Sequence, residues 1–381
     1  MAGVERGRDG LRWLDRTIGI PAVAVLSALK RRKPIPAEVS TIGLIALGAI
    51  GDTIISVGSA IPVLRQAFPD AKLYLFTSKA NGGIAPLLPP VDQVHVIAVT
   101  DPMRAVSLLR STKLDVLIDF GPWPRISAML AALSNAGFTV GFKTDGQYRH
   151  YAFDLAVKHS AEIHEFDNHA GLLASIGVPR PVWPKITPSA AARRKIRDER
   201  SKPYIVCHPW ASGFKSEMRE WPDRYWQELA AIVVQQGWEV VFTGGPSDAA
   251  KSKALFEAIA ANDGRIEDAA GRYSLDETAA LLEGCDSAVT VNTGVLHLAA
   301  AVNAPIVALH GPTNPARWGP LSDNAEVLLP DSPDVAYLNL GFEYPEDAKP
   351  CMHLLGVDRV VTSLLGQLRD AQGKRAGGLS S

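Results

Sequence analysis

The chain has 381 residues, with 39 lysines and arginines against 40 aspartates and glutamates, and a formal net charge of −1. That length allows two domains of ordinary size, while the balanced charge gives no global positive field for binding nucleic acid. The three cysteines, Cys207, Cys285 and Cys351, form no paired motif, which argues against a disulfide framework or zinc site and for a reducing, cytoplasmic environment.

The first 40 residues contain an apolar run at 18–29, which Gly19 and Pro21 interrupt, and then a basic cluster at 30–33. This run is too short to cross a bilayer as a helix, which takes about 20 apolar residues. Two interpretations stay open. The segment either lies on the anionic inner face of the cytoplasmic membrane, making the protein peripheral, or forms a docking helix or loose tail with a solvated charge run.

A first domain is predicted at 41–180, because short apolar runs alternate with helical patterns. The predicted strands are 41–47, 72–77, 93–99, 114–120, 138–141 and 151–157, and the predicted helices are 53–67, 103–111, 127–136 and 168–176. This alternation indicates a parallel sheet with helices on both faces.

A composition shift then predicts a linker at 181–202, and the alternation restarts in a second domain at 203–345. Its predicted strands are 204–208, 238–243, 287–291 and 305–309, and its predicted helices are 223–236, 248–261, 275–284 and 294–301. A helix at 346–372 could pack back on the first domain, and 373–381 is expected to be disordered. Ligands bind beyond the carboxyl ends of such strands, so we expect the two loop sets to face one another across a cleft.

The loop after the first strand contains Gly48, Gly51 and Asp52. It has neither the G-x-G-x-x-G spacing of a dinucleotide site nor the Gly-Lys-Ser/Thr of a P-loop, which counts against both. Asp52 is a carboxylate on a glycine-flanked turn, where it could accept a proton from a hydroxyl nucleophile. The alternative is that Asp52 only caps the helix.

The strand at 287–291 ends at Asn292-Thr293-Gly294, and a helix follows at once. Backbone N–H groups and the positive end of the helix dipole at Thr293 and Gly294 favour an anion there, and His297 lies one turn further along. The alternative is an ordinary helix cap with a satisfied core histidine.

Further candidate groups follow the first two strands of the second domain. Ser212 can donate to phosphate, Arg219 offers a planar cation, and Lys215 is a second cation that could equally be a solvated lysine. The turn Gly244-Gly245-Pro246 suits close contact with a nucleoside, although it could be a plain loop. The sequence has no Asp-x-Asp pair and no clean metal spacing among its histidines, so no metal is expected.

These motifs, in this order, resemble glycosyltransferase family 9, the heptosyltransferases of lipopolysaccharide core synthesis, over about residues 41–368. The matching stretches are 47–53 with 62–69, 164–177, 208–212 with 221–222, 243–246, 270–271, 292–299 and 311–315. The resemblance implies a GT-B fold, an α/β class with two doubly wound Rossmann-like domains, with the acceptor on the first and the nucleotide sugar on the second.

The resemblance also implies roles for particular residues. Asp52 takes the place of the catalytic base, next to Gly48, Gly51 and Thr53 on the acceptor-side loop. The donor-side positions are Thr293, Gly294 and His297 in the diphosphate loop with Ser212 and Lys215 nearby, and Gly244, Gly245, Pro246 and Asn292 at the nucleoside. Two positions depart from the family pattern: Arg219 stands where many members have lysine, and Asn292 where many have aspartate.

The implied activity is an inverting, metal-independent transfer of a sugar, by resemblance a heptose from an ADP-heptose. The implied acceptor is the lipopolysaccharide core or a related lipid-linked saccharide, and no cofactor is expected beyond the donor substrate. Two alternatives stay open, a sugar-nucleotide epimerase on the same fold and a non-catalytic protein that binds nucleotide sugars.

Overall fold

A computed structural model describes residues 15, 17–29, 31–259, 264–341 and 343–378 of the chain. It divides into two compact units, the first ending at Pro184 and the second beginning at Lys185. Residues 1–14, 16 and 30 of the predicted N-terminal segment, and 379–381 of the predicted tail, lie outside the described residues.

The first unit is built on a six-stranded parallel sheet. Its strands are β1 (Thr41–Ala46), β2 (Lys72–Ser78), β3 (Gln93–Ile97), β4 (Val116–Asp119), β5 (Phe138–Lys143) and β6 (Leu155–Lys158). Its helices are α1 (Gly19–Leu29), α2 (Ile50–Thr53), α3 (Ser59–Ala67), α4 (Pro102–Thr112), α5 (Arg125–Leu133) and α6 (Glu165–Ala174), with a π-helical turn at Ile54–Gly58 and 3₁₀ turns at Gly82–Leu87 and Arg149–Ala152. The strand order is β3-β2-β1-β4-β5-β6.

The centre of this sheet is buried on both faces, which is why β1 and β4 are almost continuously apolar. Close packing also fixes a glycine in β5. A Cβ atom at Gly141 would lie 2.4 Å from the Phe153 ring, so no larger residue fits without moving that ring. Helix α1 completes this core, because Val23 is fully buried among Ala128 and Phe153.

The second unit repeats the same plan. Its strands are β7 (Tyr204–His208), β8 (Glu239–Phe242), β9 (Ile266–Asp268), β10 (Ser287–Val291), β11 (Ile306–Leu309) and β12 (Ala325–Leu328). Its helices are α7 (Ala190–Glu199), α8 (Asp223–Gln235), α9 (Ala249–Glu257), α10 (Leu275–Gly284), α11 (Gly294–Ala301), α12 (Pro315–Trp318) and α13 (Val357–Gly378), with 3₁₀ turns at Ser216–Arg219, Pro246–Asp248 and Met352–Leu354. The order β12-β11-β10-β7-β8-β9 is that of the first unit, counted from each unit's first strand.

Most of the predicted linker, 181–202, is a structured part of the second unit. Ser189 caps α7 by accepting from the Ala192 N–H, and α7 packs along α10. Ion pairs join Arg193 to Glu283 across the two helices. The composition shift therefore marks the junction of the units, whereas the basic residues after it belong to an amphipathic helix.

Helix α13 packs in the core of the second unit, where Leu364 and Leu368 are buried with Trp226. Its Gln367 side chain accepts a hydrogen bond from the Ser287 hydroxyl at 2.6 Å and donates one to the Ile306 carbonyl at 2.9 Å. These contacts fasten α13 to β10 and β11 of its own unit, and packing on the first domain stays a prediction. The helix also continues to Gly378, beyond the predicted start of disorder at 373.

The three cysteines are free and buried, and burial raises the pKa of the Cys207 and Cys285 thiols. A thiol held in its neutral form is a poor nucleophile and a poor metal ligand. None of the helices among the described residues has both the length and the hydrophobicity that crossing a membrane requires.

Candidate functional site

The predicted site residues lie at the carboxyl ends of the strands where each sheet reverses its strand order. In the first unit this switch point falls between β1 and β4, which pair through Ile45 and Asp119. In the second it falls between β7 and β10, which pair through His208 and Thr290. Crevices at such points are where open parallel sheets bind their ligands.

In the first unit, Asp52 lies in the first turn of α2, directly after β1. Its Oδ2 accepts a hydrogen bond of 2.9 Å from the Ala49 N–H, so the carboxylate does cap the helix, as the simpler interpretation expected. The side chain is only half buried. A carboxylate at this position is the kind of group that can act as a general base towards a hydroxyl.

The other residues of this loop serve mainly to hold it. Thr53 is fully buried; its hydroxyl donates to the Ala49 carbonyl and accepts from the Asn81 amide at 2.6 Å. Asn81 also donates to the Ala46 carbonyl at 2.7 Å, while Gly51 is buried and Gly48 half buried. These contacts show that Thr53 braces the loop, and the assignment of the loop to the acceptor side stays a prediction.

The helix after this loop is not uniformly α-helical, because the π-helical turn Ile54–Gly58 interrupts it. The Ser56 hydroxyl donates to the Asp52 carbonyl at 2.6 Å and the Ser59 hydroxyl to the Ile55 carbonyl at 2.5 Å. Such bonds help to satisfy carbonyls that the irregular turn disturbs, and π-helical turns are frequent at functional sites.

A buried polar cluster lies within electrostatic reach of Asp52, and sequence reasoning gave its members no role. His159 Nε2 lies 2.9 Å from Glu165 Oε2, and His169 Nε2 lies 3.6 Å from Glu165 Oε1. His169 also interacts with the Phe120 backbone, and its ring lies edge-on to the Phe120 ring with 5.6 Å between centroids. Burial lowers the pKa of His169 against the opposing charges of Glu165 and Asp52, so the ring is neutral near pH 7. Glu165 and His169 are four residues apart on α6 and so lie on one face of it, which is the signal that the sequence offered for this cluster.

In the second unit, the loop after β7 brings three predicted residues together. Gly213 adopts φ of +96°, which gives the sharp turn, and Lys215 is left-handed at φ +48°. Arg219, in the 3₁₀ turn that follows, donates from Nη2 to the Ser212 carbonyl. Two cations are thereby held on one short loop at the switch point.

Tyr344 completes this loop and was not foreseen, because it is 129 residues from its partner in the sequence. Its hydroxyl donates to the Lys215 carbonyl at 3.2 Å, its ring centroid lies 5.4 Å from Lys215 Nζ, and it neighbours the Arg219 guanidinium. Burial raises the pKa of Tyr344, which keeps the hydroxyl protonated as a donor. No local pattern in the sequence marks this tyrosine.

Beside this loop, β10 leads into α11 through Asn292 and Thr293. Thr293 occupies the helix-cap position with extended backbone, yet its side chain makes no capping bond within the part of the chain that the structure describes. Its hydroxyl is thus not committed to the helix, and the helix start at Gly294 retains the donors that favour an anion. His297, on the same helix, is 7 % exposed. Asn292 donates from Nδ2 to the Trp318 carbonyl at 3.1 Å.

The turn after β8 has a structural reason for its first glycine. A Cβ atom at Gly244 would lie 2.8 Å from the Trp210 ring and 3.2 Å from the Ala270 side chain, so packing alone requires glycine there. The N–H of Gly245 donates to Asp248 at 2.8 Å, and Pro246 begins the 3₁₀ turn. A nucleoside contact at these residues stays a prediction.

Two buried histidines end strands of the second sheet. His208, at the end of β7, lies 2.9 Å from the Thr243 hydroxyl through Nδ1, and His310 follows β11. Burial lowers the pKa of each to about 4. Both rings are therefore neutral at physiological pH and act as packed hydrogen-bonding groups. Across the described ranges, no group of three or more histidine, cysteine or acidic side chains is arranged to hold a metal ion.

Comparisons with known proteins show the family and the fold of the chain. The family model described as glycosyltransferase family 9 (heptosyltransferase) matches residues 104–339. Over 180 residues the chain is 34 % identical to lipopolysaccharide heptosyltransferase 1 of Pseudomonas aeruginosa, covering 44 % of this chain and 48 % of that protein. The alignments with the first curated relatives span only about a third to a half of those relatives' length.

Two solved structures are similar over most of the chain. Heptosyltransferase II of Escherichia coli has a TM-score of 0.72 and 21 % identity, covering 87 % of this chain and 99 % of that one. The Escherichia coli heptosyltransferase WaaC with ADP-2-deoxy-2-fluoro heptose has a TM-score of 0.62 and 19 % identity, covering 84 % and 98 %. At this identity the likeness concerns the fold, and the predicted GT-B class of two parallel-sheet α/β domains is confirmed.

Proposed function

This chain belongs to glycosyltransferase family 9, and we propose that it transfers a heptose from an ADP-heptose to the lipopolysaccharide core or a related lipid-linked saccharide. The proposed reaction inverts the anomeric centre and uses no metal. The observation that carries the proposal is the pairing of chemistries at the two switch points, a half-buried carboxylate after β1 and a cationic loop beside an open helix start after β7 and β10.

The proposed chemistry is a single displacement. The acceptor hydroxyl oxygen attacks the anomeric carbon of the donor, Asp52 takes the hydroxyl proton, and the bond from that carbon to the diphosphate oxygen breaks. Attack from the face opposite the leaving group inverts the anomeric configuration. The electron pair of the broken bond leaves on the nucleoside diphosphate, which departs with its added negative charge.

Groups of the second unit stabilise the negative charge that develops on the diphosphate. The backbone donors at the start of α11 and the Arg219 guanidinium, which bonds to the Ser212 carbonyl, are held in place before the reaction, so they need no reorganisation as charge grows. The Thr293 hydroxyl and the Lys215 ammonium are further donors for the same charge. His297 on α11 supplies a further polar side chain. Protein cations thereby do the work that a divalent ion does in other sugar transferases.

The nucleoside of the donor is assigned to the turn Gly244-Gly245-Pro246 and to Asn292. The turn follows β8, which pairs directly with β7 through Cys207 and Phe242. Ser212, which is exposed on the loop after β7, is assigned to the diphosphate. One solved structure of similar fold is described with an ADP-linked fluoroheptose, which supports an ADP-type donor for this chain.

The base assignment is tested by Asp52→Asn in an assay of acceptor-dependent ADP release. We expect kcat to fall about 10²- to 10⁴-fold, the range that a positioned general base contributes. Donor affinity should stay unchanged, because the donor groups are in the other unit. Asp70→Asn, an exposed aspartate after α3, is the matched control and should keep full activity. Turnover by Asp52→Asn at a near wild-type rate would refute the assignment.

The same assay separates the two alternative functions. ADP release that needs no acceptor would favour an epimerase-like reaction. Binding of nucleotide sugars without turnover on any lipid-linked saccharide would favour a binding protein. A thermal-shift panel of nucleotide sugars identifies the donor, because a ligand at 100 times its Kd stabilises the folded state by about 2.7 kcal/mol.

We further propose that the protein works in the cytoplasm, in contact with the membrane that holds its acceptor. The assignment follows from the lipid-linked acceptor and the N-terminal basic and apolar segment.

A further inference from the structure

Helix α1 is apolar around most of its circumference, but over residues 19–26 it is covered on one side only. Val23 is fully buried against α5, whereas Val25 is 61 % exposed and Ile18, just before the helix, is 56 % exposed. Pro21 and Ala24 are exposed on that same outer side. A helix that is hydrophobic on all sides is normally buried on all sides, so we expect the outer side to contact another apolar surface.

Two exposed tyrosines lie on or beside a turn that packs against α1. The turn Arg149–Ala152 packs against α1, and it carries Tyr151, which is exposed, next to the exposed Tyr148. Tyrosines with an apolar ring and a polar hydroxyl are typical of the boundary between hydrocarbon and water. Two of them beside an apolar helix give this face the profile of a membrane interface.

Three exposed cations lie near α1 and the tyrosine-bearing turn. Arg31 and Arg32 are exposed directly after α1, and Lys143 is exposed at the end of β5. Burial, and then the charges of Lys143 and Arg32, lower the pKa of His150, so both cations lie near that ring. The His150 ring contacts the Tyr151 ring in a tilted arrangement, with 4.1 Å between the ring centroids.

We propose that this face, formed by Ile18, Val25, Tyr148 and Tyr151 with Arg31, Arg32 and Lys143, docks the protein on a bilayer containing anionic lipids. It is called the α1 face below. The inference rests on the proposed function in one respect, since a lipid-linked acceptor gives the docking its purpose. Apolar side chains enter the headgroup boundary and the cations pair with lipid phosphates, a combination that neither a neutral bilayer nor a soluble anion satisfies.

The α1 face is connected to the acceptor side of its own unit. Arg125 at the start of α5 bonds to Asp15 at 2.7 Å and donates to the Gln147 carbonyl at 2.9 Å, which joins the segment before α1, the tyrosine-bearing turn and the loop after β4. That loop neighbours the Asp52 loop, because the Phe120 N–H donates to the Ile45 carbonyl at the end of β1. A docked α1 face would therefore hold the acceptor loops close to the lipid surface.

The test is flotation of the full-length protein with vesicles that contain no acceptor. We expect binding to phosphatidylglycerol–phosphatidylethanolamine vesicles and none to phosphatidylcholine. Arg31→Gln with Arg32→Gln should lower the partition coefficient about 25-fold, because each cation near an anionic surface contributes about fivefold to binding. Salt at 0.5 M should weaken wild-type binding, because it screens these charges. Val25→Gln should lower it by roughly three- to tenfold, because its apolar surface no longer gains from burial.

Matched controls make these outcomes specific. Arg194→Gln with Arg197→Gln on α7 changes the net charge equally, and Val182→Gln replaces an equally exposed valine, so both should bind as wild type does. All the substituted side chains are exposed, and unchanged thermal unfolding confirms that the variants fold. Wild-type flotation of the Arg31, Arg32 variant, or an equal loss in the α7 control, overturns the proposal.

Transfer is measured separately on detergent-dispersed acceptor, where the α1-face variants should keep wild-type kcat. Failure of transfer by the wild-type protein would refute the proposed function without affecting the flotation result, and loss of flotation alone would refute only the α1 face.

Discussion

Asp52 shows how one side chain serves the local fold and the proposed reaction together. Its bond from the Ala49 N–H fixes the start of α2, while the side chain is only half buried, so that a substrate hydroxyl can reach it. The capping interpretation and the catalytic interpretation, which compete when only the sequence is available, are therefore compatible. Removing the carboxylate is expected to cost some helix stability as well as the base, so its activity must be measured on folded protein.

Arg219 is the second residue whose chemistry can be isolated. Arg219→Gln removes the positive charge and the fork that meets a diphosphate, and we expect kcat/KM for the donor to fall roughly 10- to 100-fold, the worth of a charged hydrogen bond. Arg219→Lys should recover part of that loss, because it restores charge without the planar geometry. Arg224→Gln, an exposed arginine on α8, is the matched control. Steady-state kinetics that leave Arg219→Gln unaffected would remove Arg219 from the donor site.

At the scale of elements, the loop after β1 depends on a residue from a different loop. Asn81 is buried, donates to the Ala46 carbonyl and the Thr53 hydroxyl, and accepts from the Ser78 N–H at 2.8 Å. Asn81→Ala leaves these groups buried without partners, at about 1–3 kcal/mol for an unsatisfied group.

We therefore expect Asn81→Ala to lower the free energy of unfolding by roughly that amount in urea titrations, and to lower kcat more than it raises the donor KM. Thr53→Val, which removes the hydroxyl but keeps the shape, should show the same pattern more weakly. A loss of donor affinity without a loss of kcat would contradict the bracing role.

The elements that the sequence predicted well are those with a strong local signal. The buried strands β1, β7 and β10 are rich in apolar and β-branched residues, and the predicted helix 275–284 is α10, which the Ser274–Glu277 capping box starts. The edge strands β9 and β12 were not predicted, because they are only three and four residues long and β12 is largely exposed.

The candidate site divides in the same way. Asp52, Thr293 and Arg219 belong to short motifs in the loops that follow β1, β10 and β7, so the sequence alone is enough to propose them as site residues. Tyr344 reaches the donor loop only through tertiary packing, and the π-helical turn after Asp52 has no periodicity of its own. The structural role of Thr53 depends on Asn81, which is 28 residues away.

For the whole molecule, the buried histidines His208 and His310 predict how stability depends on pH. The pKa of each is about 4 when folded and ordinarily 6.5, so above pH 6.5 both are neutral in either state. As the pH falls from 6.5 towards 4, the unfolded chain binds protons that the folded chain does not, and stability is lost. At pH 5 each histidine should cost about 2 kcal/mol.

Urea unfolding of His208→Gln at pH 7 and pH 5 measures this term, since glutamine keeps a partner for Thr243 but does not titrate. The difference between the two pH values should be smaller in the variant than in the wild type by about 2 kcal/mol. Equal differences would mean that His208 is protonated in the folded protein.

The hold of α13 on β10 has a consequence for biosynthesis. Gln367 links Ser287 to Ile306, so the strand that presents Thr293 is fastened by a side chain made 80 residues later. When the diphosphate loop has been translated, the Gln367 side chain that holds its strand has not yet been made. Affinity for nucleotide is thus expected only once α13 has been translated, and a chain that stops before residue 367 should be defective in donor binding even though it contains every proposed donor contact.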